Sequence, residues 1–204
     1  KPRILFAANA YFYNGKKMDC LGKIEKTVQY IPEIEKVVII PFVKDHPLEI
    51  PGLKGKAVTW DDFLDHSANS LEFQPYPFNH PLYIMYSSGT TGIPKCIVHG
   101  AGGTLLQHAK ELMLHSELNR GDNIIYFTTC GWMMWNWLVS SLFVGATVTL
   151  FDGSPSYPDL DTLWKLVDEE EITHFGTSAK FIGTCRSRNI TPEKKYSLKK
   201  LRVI

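Results

Sequence analysis

Five hydroxyls, two glycines and a lysine crowd into the ten residues Tyr86-Ser87-Ser88-Gly89-Thr90-Thr91-Gly92-Ile93-Pro94-Lys95, between two apolar runs. Those are the residue types that hold a polyphosphate. Glycine lets the backbone approach an anion and turn its N–H groups inward, hydroxyls add neutral donors, and lysine sets a positive charge beside the phosphates. The spacing excludes a Walker A loop, which separates its glycines more widely and places Lys-Ser/Thr directly after the second. The competing reading is a Ser/Thr/Gly hairpin loop with no ligand.

Two further segments could line a pocket. In Thr128-Thr129-Cys130-Gly131-Trp132-Met133-Met134-Trp135-Asn136, polar residues and a glycine give way to a patch of indole and thioether that suits a short acyl chain. Core packing at the start of a buried helix is the alternative for Met134, Trp135 and Trp137. In His174-Phe175-Gly176-Thr177-Ser178-Ala179, Gly176 would admit a substrate closely, or else the segment is a Thr/Ser helix cap beside a satisfied core histidine. His108 and His115 lie seven apart with no third ligand and read as solvated surface. Lys194, Lys195, Lys199, Lys200 and Arg202 read as an exposed charged face, as does Asp168-Glu169-Glu170-Glu171.

The elements that must position these residues alternate. Pro94 pushes Ile93 out of the α region, so the lysine leads into an extended segment, and the motif reads as strand 82–86, loop, strand 96–99. Ahead of it, 4–8 reads as a strand, Asn14-Gly15 as a turn, 20–30 as a helix with Leu21, Ile24 and Val28 on one face, and 37–43 as a buried strand. A short helix follows at 60–64, then a proline-punctuated linker at 69–81. Beyond the hairpin, 103–118 predicts a helix with an apolar face of Leu105, Leu106, Ala109, Leu112 and Met113. Strands are expected at 124–128, 147–151 and 172–175, and helices at 132–143 (largely buried), at 159–171 after Pro158, and after Thr177 or Ser178. This alternation predicts an α/β fold, a mainly parallel sheet flanked by helices, with ligands outside the carboxyl ends of its strands.

Composition sets the outer bounds. The chain is 44% hydrophobic, enough for a sizeable core, and 22 basic against 21 acidic residues leave no electrostatic footprint for nucleic acid or an anionic membrane. The four cysteines, Cys20, Cys96, Cys130 and Cys185, make no paired motif, so neither a zinc site nor a disulfide framework is expected and a cytosolic setting fits. The stretch 132–144 is too short to span a bilayer.

The ten-residue loop resembles the phosphate-binding signature of the acyl-adenylate-forming enzymes, the AMP-binding superfamily of acyl-CoA synthetases, luciferases and peptide-synthetase adenylation domains. That family usually has glycine after the lysine, where this chain has Cys96. The substitution, the following Ile97 to His108 and the Met133-Met134-Trp135-Asn136 stretch resemble the branch that activates acetoacetate. The resemblance spans nearly the whole chain. It implies an ATP-dependent acid–thiol ligase of lipid and ketone-body metabolism, with ATP, Mg²⁺, coenzyme A and acetoacetate as its small-molecule partners. Ser87, Ser88, Gly89, Thr90, Thr91, Gly92 and Lys95 would hold the nucleotide, with Lys95 the catalytic cation. Trp132, Met133, Met134, Gly176 and Thr177 would face the substrate.

The resemblance also implies that residues 1–204 are part of a large N-terminal AMP-binding domain. The rest of that domain and the small C-terminal domain, which carry a Tyr-Gly-x-Thr-Glu motif, a ribose-binding aspartate and the adenylation lysine, are absent from this sequence. The fragment is therefore expected to be inactive alone. A synthetase for acetate or propionate, or a truncated nucleotide binder without catalysis, are the alternatives.

Overall fold

The computed structural model describes residues 2–87 and 92–204 and divides into two compact units, Lys1–Phe73 and Gln74–Ile204. The division falls in the stretch expected as a linker.

The first unit contains strands β1 (Ile4–Ala8), β2 (Ala10–Tyr13) and β3 (Lys16–Asp19), helix α1 (Leu21–Tyr30), strands β4 (Lys36–Ile40) and β5 (Ala57–Thr59), and the short helix α2 (Trp60–Phe63). β1, β4 and β5 form a parallel sheet in that order, with Val37 facing Leu5 on one side and Ala57 on the other. Val37, Val38 and Ile39 are wholly buried, as expected of a central parallel strand covered on both faces. α1 lays Ile24 and Val28, one turn apart, against Ile34, Val37, Ile39, Ile50 and Leu53.

Two parts of this unit depart from the expectation. The Asn14-Gly15 turn closes an antiparallel hairpin, β2 with β3, because both residues take the left-handed backbone (φ 51° and 73°) that a tight hairpin turn requires. Buried Asn9 has both ends of its carboxamide bonded: Nδ2 donates to the Val43 and His46 carbonyls at 2.9 and 3.0 Å, and Oδ1 accepts from the Ala10 and Val43 amides. It pins the chain after β4, which ends at Ile40 rather than at 43.

The second unit opens with an antiparallel hairpin, β6 (Pro81–Ser87) and β7 (Lys95–Gly100), and continues through α3 (Ala101–Lys110), β8 (Asn123–Tyr126), α4 (Met133–Val139), α5 (Ser141–Val144), β9 (Thr147–Val148), α6 (Thr162–Glu169), β10 (His174–Gly176) and α7 (Ala179–Ser187). β10, β8 and β9 form a second parallel sheet, and Val203 bridges to His174 in parallel at its edge. Phe175 meets Trp164 edge-on (5.2 Å between centroids), and both pack with Leu163, Val167, Ile172 and Phe181. A separate cluster of Leu112, Leu118, Ile124, Leu138 and Ala146 lies under α4. The fold is thus α/β with parallel sheets, but among the described residues the strands form two three-stranded parallel sheets and two antiparallel hairpins rather than one continuous sheet.

The helices correct the sequence expectation in three places. α3 passes into a π turn at Glu111–His115, and the extra residue per turn shifts its phase. Leu112 and His108 are buried, whereas Leu105, Leu106 and Met113, expected on the apolar face, are exposed. The helix expected at 132–143 is instead two short helices parted at Ser140, and Trp132, Met133, Leu142 and Phe143 are exposed rather than buried. The helix expected from Asp159 begins at Thr162.

Candidate functional site

The loop residues Ser88, Gly89, Thr90 and Thr91 lie outside the described residues. The hairpin that carries them is clear. Ser87 pairs with Lys95 and Tyr86 with Cys96, so the last residue of β6 and the first of β7 stand opposite each other at the loop's base. Gly92 takes φ 137°, a conformation open to glycine and strained for other residues. Lys95 is exposed and Ser87 half-buried. An ammonium and a hydroxyl at the root of a Gly/Thr loop are a donor set that fits phosphate oxygens.

Side chains alternate along β6, so Tyr83, Met85 and Ser87 share the half-buried face while Leu82, Ile84 and Tyr86 face outward and are exposed. Tyr83 and Met85 form one wall of a cavity of about 730 Å³ whose other walls come from β7 (Val98, His99), α3 (Thr104, His108) and α4 (Met133, Met134, Asn136, Trp137). The volume is typical of a small-molecule site. Met133 and Met134, expected at the substrate, line it; Trp132, Gly176 and Thr177 do not.

Those three belong to a second locus. β8 and β10 are adjacent and parallel, with Tyr126 opposite Gly176, and the Phe127 amide donates to the Gly176 carbonyl at 2.9 Å. The segment after β8 and the segment after β10, singled out separately, therefore leave the same sheet side by side at its carboxyl edge. Trp132, six residues beyond the end of β8, is 70% exposed. Ser178, not Thr177, caps α7, its Oγ accepting from the Phe181 amide at 3.1 Å. Thr177 Oγ1 is left buried and without a hydrogen-bond partner among the described residues. His174 is the satisfied core histidine expected as one reading: Nε2 donates to the Ser116 carbonyl at 2.7 Å, and Nδ1 lies 2.8 Å from Thr173 Oγ1. Close approach at Gly176 is made by the Tyr126 ring, since a Cβ there would lie 2.0 Å from its Cδ2.

His108 is the largest departure from the sequence reading. Expected at the surface, it is buried, and its Nδ1 lies 2.8 Å from Ser140 Oγ on the neighbouring helix. Ser140 directs its single proton to the Asn136 carbonyl at 2.9 Å, so the network assigns the His108 proton to Nδ1. Burial, and then the nearby His99, push the His108 pKa below the ordinary histidine value. A residue spacing of seven carries no sign of this, because the hydrogen-bond partner is 32 positions away.

The sign of the pH effect follows. A histidine with a depressed folded pKa binds fewer protons folded than unfolded. Its contribution is fully present above the unfolded value of about 6.5 and is lost as pH falls through the folded pKa. The urea midpoint should fall between pH 7.5 and 5.5 by more in the native chain than in His108→Gln. Equal falls would remove His108 from this account.

Among the described residues no cluster of three or more His, Cys, Asp or Glu could hold a metal, and no helix is long and apolar enough to cross a membrane. All four cysteines are free.

Among the described residues, the β6–β7 hairpin thus carries Ser87 and Lys95 at its open end and Tyr83 and Met85 in the wall of a small-molecule-sized cavity, within an α/β fold of parallel sheets. The AMP-binding enzyme family model matches residues 2–204, and the chain belongs to that family. It is 47% identical over its whole length to the acetoacetyl-CoA synthetase of Danio rerio, and 44% identical over 94% of its length to the malonamoyl-CoA synthetase vrtB of Penicillium aethiopicum. Its fold superposes on 99% of the chain with the acetoacetyl-CoA synthetase from Streptomyces lividans, at a TM-score of 0.88 and 37% identity. The chain spans 31% of the Danio rerio relative, 29% of the Penicillium relative and 30% of the Streptomyces chain.

Proposed function

We propose that this chain supplies part of the AMP-binding domain of an ATP-dependent acid–thiol ligase that activates acetoacetate and passes it to coenzyme A. The observation that carries the reading is the hairpin, which sets Lys95 and Ser87 at the base of the Ser/Thr/Gly loop and runs the wall of the cavity toward it on one strand face. Matching relatives support the choice of acid, since the acids in their names, acetoacetate and malonamate, both carry a carbonyl on the third carbon.

In the first half-reaction a carboxylate oxygen of the acid attacks the α-phosphate of ATP and pyrophosphate leaves. In the second, the thiol displaces AMP from the acyl-adenylate. Negative charge grows on the pyrophosphate side during the first, and Lys95 with the hydroxyls of Ser87, Ser88, Thr90 and Thr91 is the group set that stabilises it. Gly89 and Gly92 allow the backbone to approach. Mg²⁺ enters with the nucleotide's phosphates. Met133 and Met134 supply apolar surface to the acid's carbon chain, and Trp132, Gly176 and Thr177 border the site at the sheet's carboxyl edge. Free cysteines suit the cytosol. The test is acetoacetate-dependent ATP–pyrophosphate exchange.

A further inference from the structure

The 730 Å³ cavity is apolar along Met85, Val98, Met133, Met134 and Trp137, so the few polar groups that reach it decide what it can read. Most of these groups are engaged. Thr104 Oγ1 donates to the Gly100 carbonyl at 2.7 Å, the Gln107 amide donates to Glu111 at 3.0 Å, and the His108 Nδ1–H bonds Ser140. Glu111 is an acceptor held by Lys110 and Gln107. His108 Nε2 then carries a lone pair, which repels the oxygens of an oxo acid.

Asn136 differs from these groups. Its backbone carbonyl is engaged by Ser140, but its side-chain carboxamide has no hydrogen bond among the described residues. The Asn136 carboxamide offers an NH₂ that is a donor at every pH beside its carbonyl acceptor; Tyr83 and His99, which also line the cavity without a side-chain hydrogen bond among the described residues, stand on the hairpin strands β6 and β7 rather than on the turn of α4 that carries Met133 and Met134. Asn136 lies one helical turn from Met133 and directly precedes Trp137, so its half-buried carboxamide borders the apolar wall of the cavity, where a bound acid would cover it. The Asn136–Ser140–His108 chain ties this turn of α4 to α3, so the carboxamide rests on a fixed backbone.

We infer that Asn136 is the specificity-determining residue for the oxo group of the acid: its carboxamide N–H donates to the carbonyl oxygen on the third carbon, while Met133, Met134 and Trp137 cover the carbon chain. The inference rests on the ligase reading above and names the residue that separates a 3-oxo acid from the plain acid of the same length. A plain acid would leave the carboxamide unmet in the cavity and be rejected on that ground.

The test compares acetoacetate with butyrate, which differs by the oxo group alone. The kcat/KM ratio is measured by pyrophosphate exchange in this chain joined to the remainder of the Danio rerio relative, native and with Asn136→Leu, which matches the shape without the donor. The ratio should fall about tenfold or more, the loss of one desolvated hydrogen bond. An unchanged ratio overturns the inference, as does an equal loss for both acids. Asn136→Ala decides the same ratio should the leucine variant fail to fold.

If the joined native protein turns over no acid, the ligase reading fails by itself and binding to the 204-residue chain decides, followed by saturation-transfer NMR. Preference for acetoacetate that disappears with Asn136→Leu then supports the residue's role. Equal binding of the two acids, or no binding, overturns it.

Discussion

Lys95→Ala should slow pyrophosphate exchange by about two to three orders of magnitude, the range seen when one preorganised charge-stabilising donor is removed at a developing anion. ATP affinity should fall far less. The reason lies in where the lysine sits. It is exposed, at the first position of β7 and opposite Ser87, so truncating it removes a charge from the base of the loop without opening the core. Ground-state phosphates retain the other donors of the loop and their own metal, whereas the charge that grows as pyrophosphate leaves is what the ammonium meets. Loss of ATP affinity in step with the rate would make Lys95 a uniform binding residue. An unchanged exchange rate would contradict its catalytic assignment outright.

Gly176→Ala should destabilise the second unit by about 1–3 kcal/mol, the usual cost of overpacking. The added methyl would stand 2.0 Å from Tyr126 Cδ2 and 2.6 Å from Cγ. That ring has little room to yield, because Tyr126 lies in β8 directly opposite and packs edge-on to Trp137 with centroids 6.1 Å apart. Gly102→Ala is the matched control. Its Cβ would lie 2.2 Å from the Phe78 ring, but Phe78 is 58% exposed and can swing into solvent, while alanine favours the helix. The urea midpoint should drop for Gly176→Ala and hold or rise for Gly102→Ala. Adding Tyr126→Ala to Gly176→Ala should cost less than the sum of the two single changes, since the clash is then gone. Equal midpoints for the two glycine variants would show that the Tyr126 ring yields as freely as Phe78.

What could be read in advance was local chemistry. The Ser/Thr/Gly run between apolar segments marked the hairpin, and Pro94 fixed its return as a strand, because both signals act within a few residues. The βα alternation marked α/β architecture for the same reason. The carboxyl-edge segments after β8 and β10 could each be named, but not their adjacency, which depends on strand order.

Long-range partners and phase left less trace. Asn9 looks like any strand-end asparagine until its carboxamide is seen bonding residues 34 and 37 positions away. The π turn at Glu111–His115 has no composition of its own, and of the face expected on α3 Leu112 is buried while Leu105, Leu106 and Met113 are exposed and His108 is buried in their place. Asn136 was in view as part of a pocket segment, but nothing local shows that Thr104, Gln107, His108 and Glu111 in the same lining are already bonded.

The most direct test of the ligase account is ATP–pyrophosphate exchange with acetoacetate, acetate and no acid, on this chain and on this chain joined to the remainder of the Danio rerio relative. The account predicts exchange by the joined protein that requires an acid and is fastest with acetoacetate. Silence from a folded joined protein with every acid would contradict it.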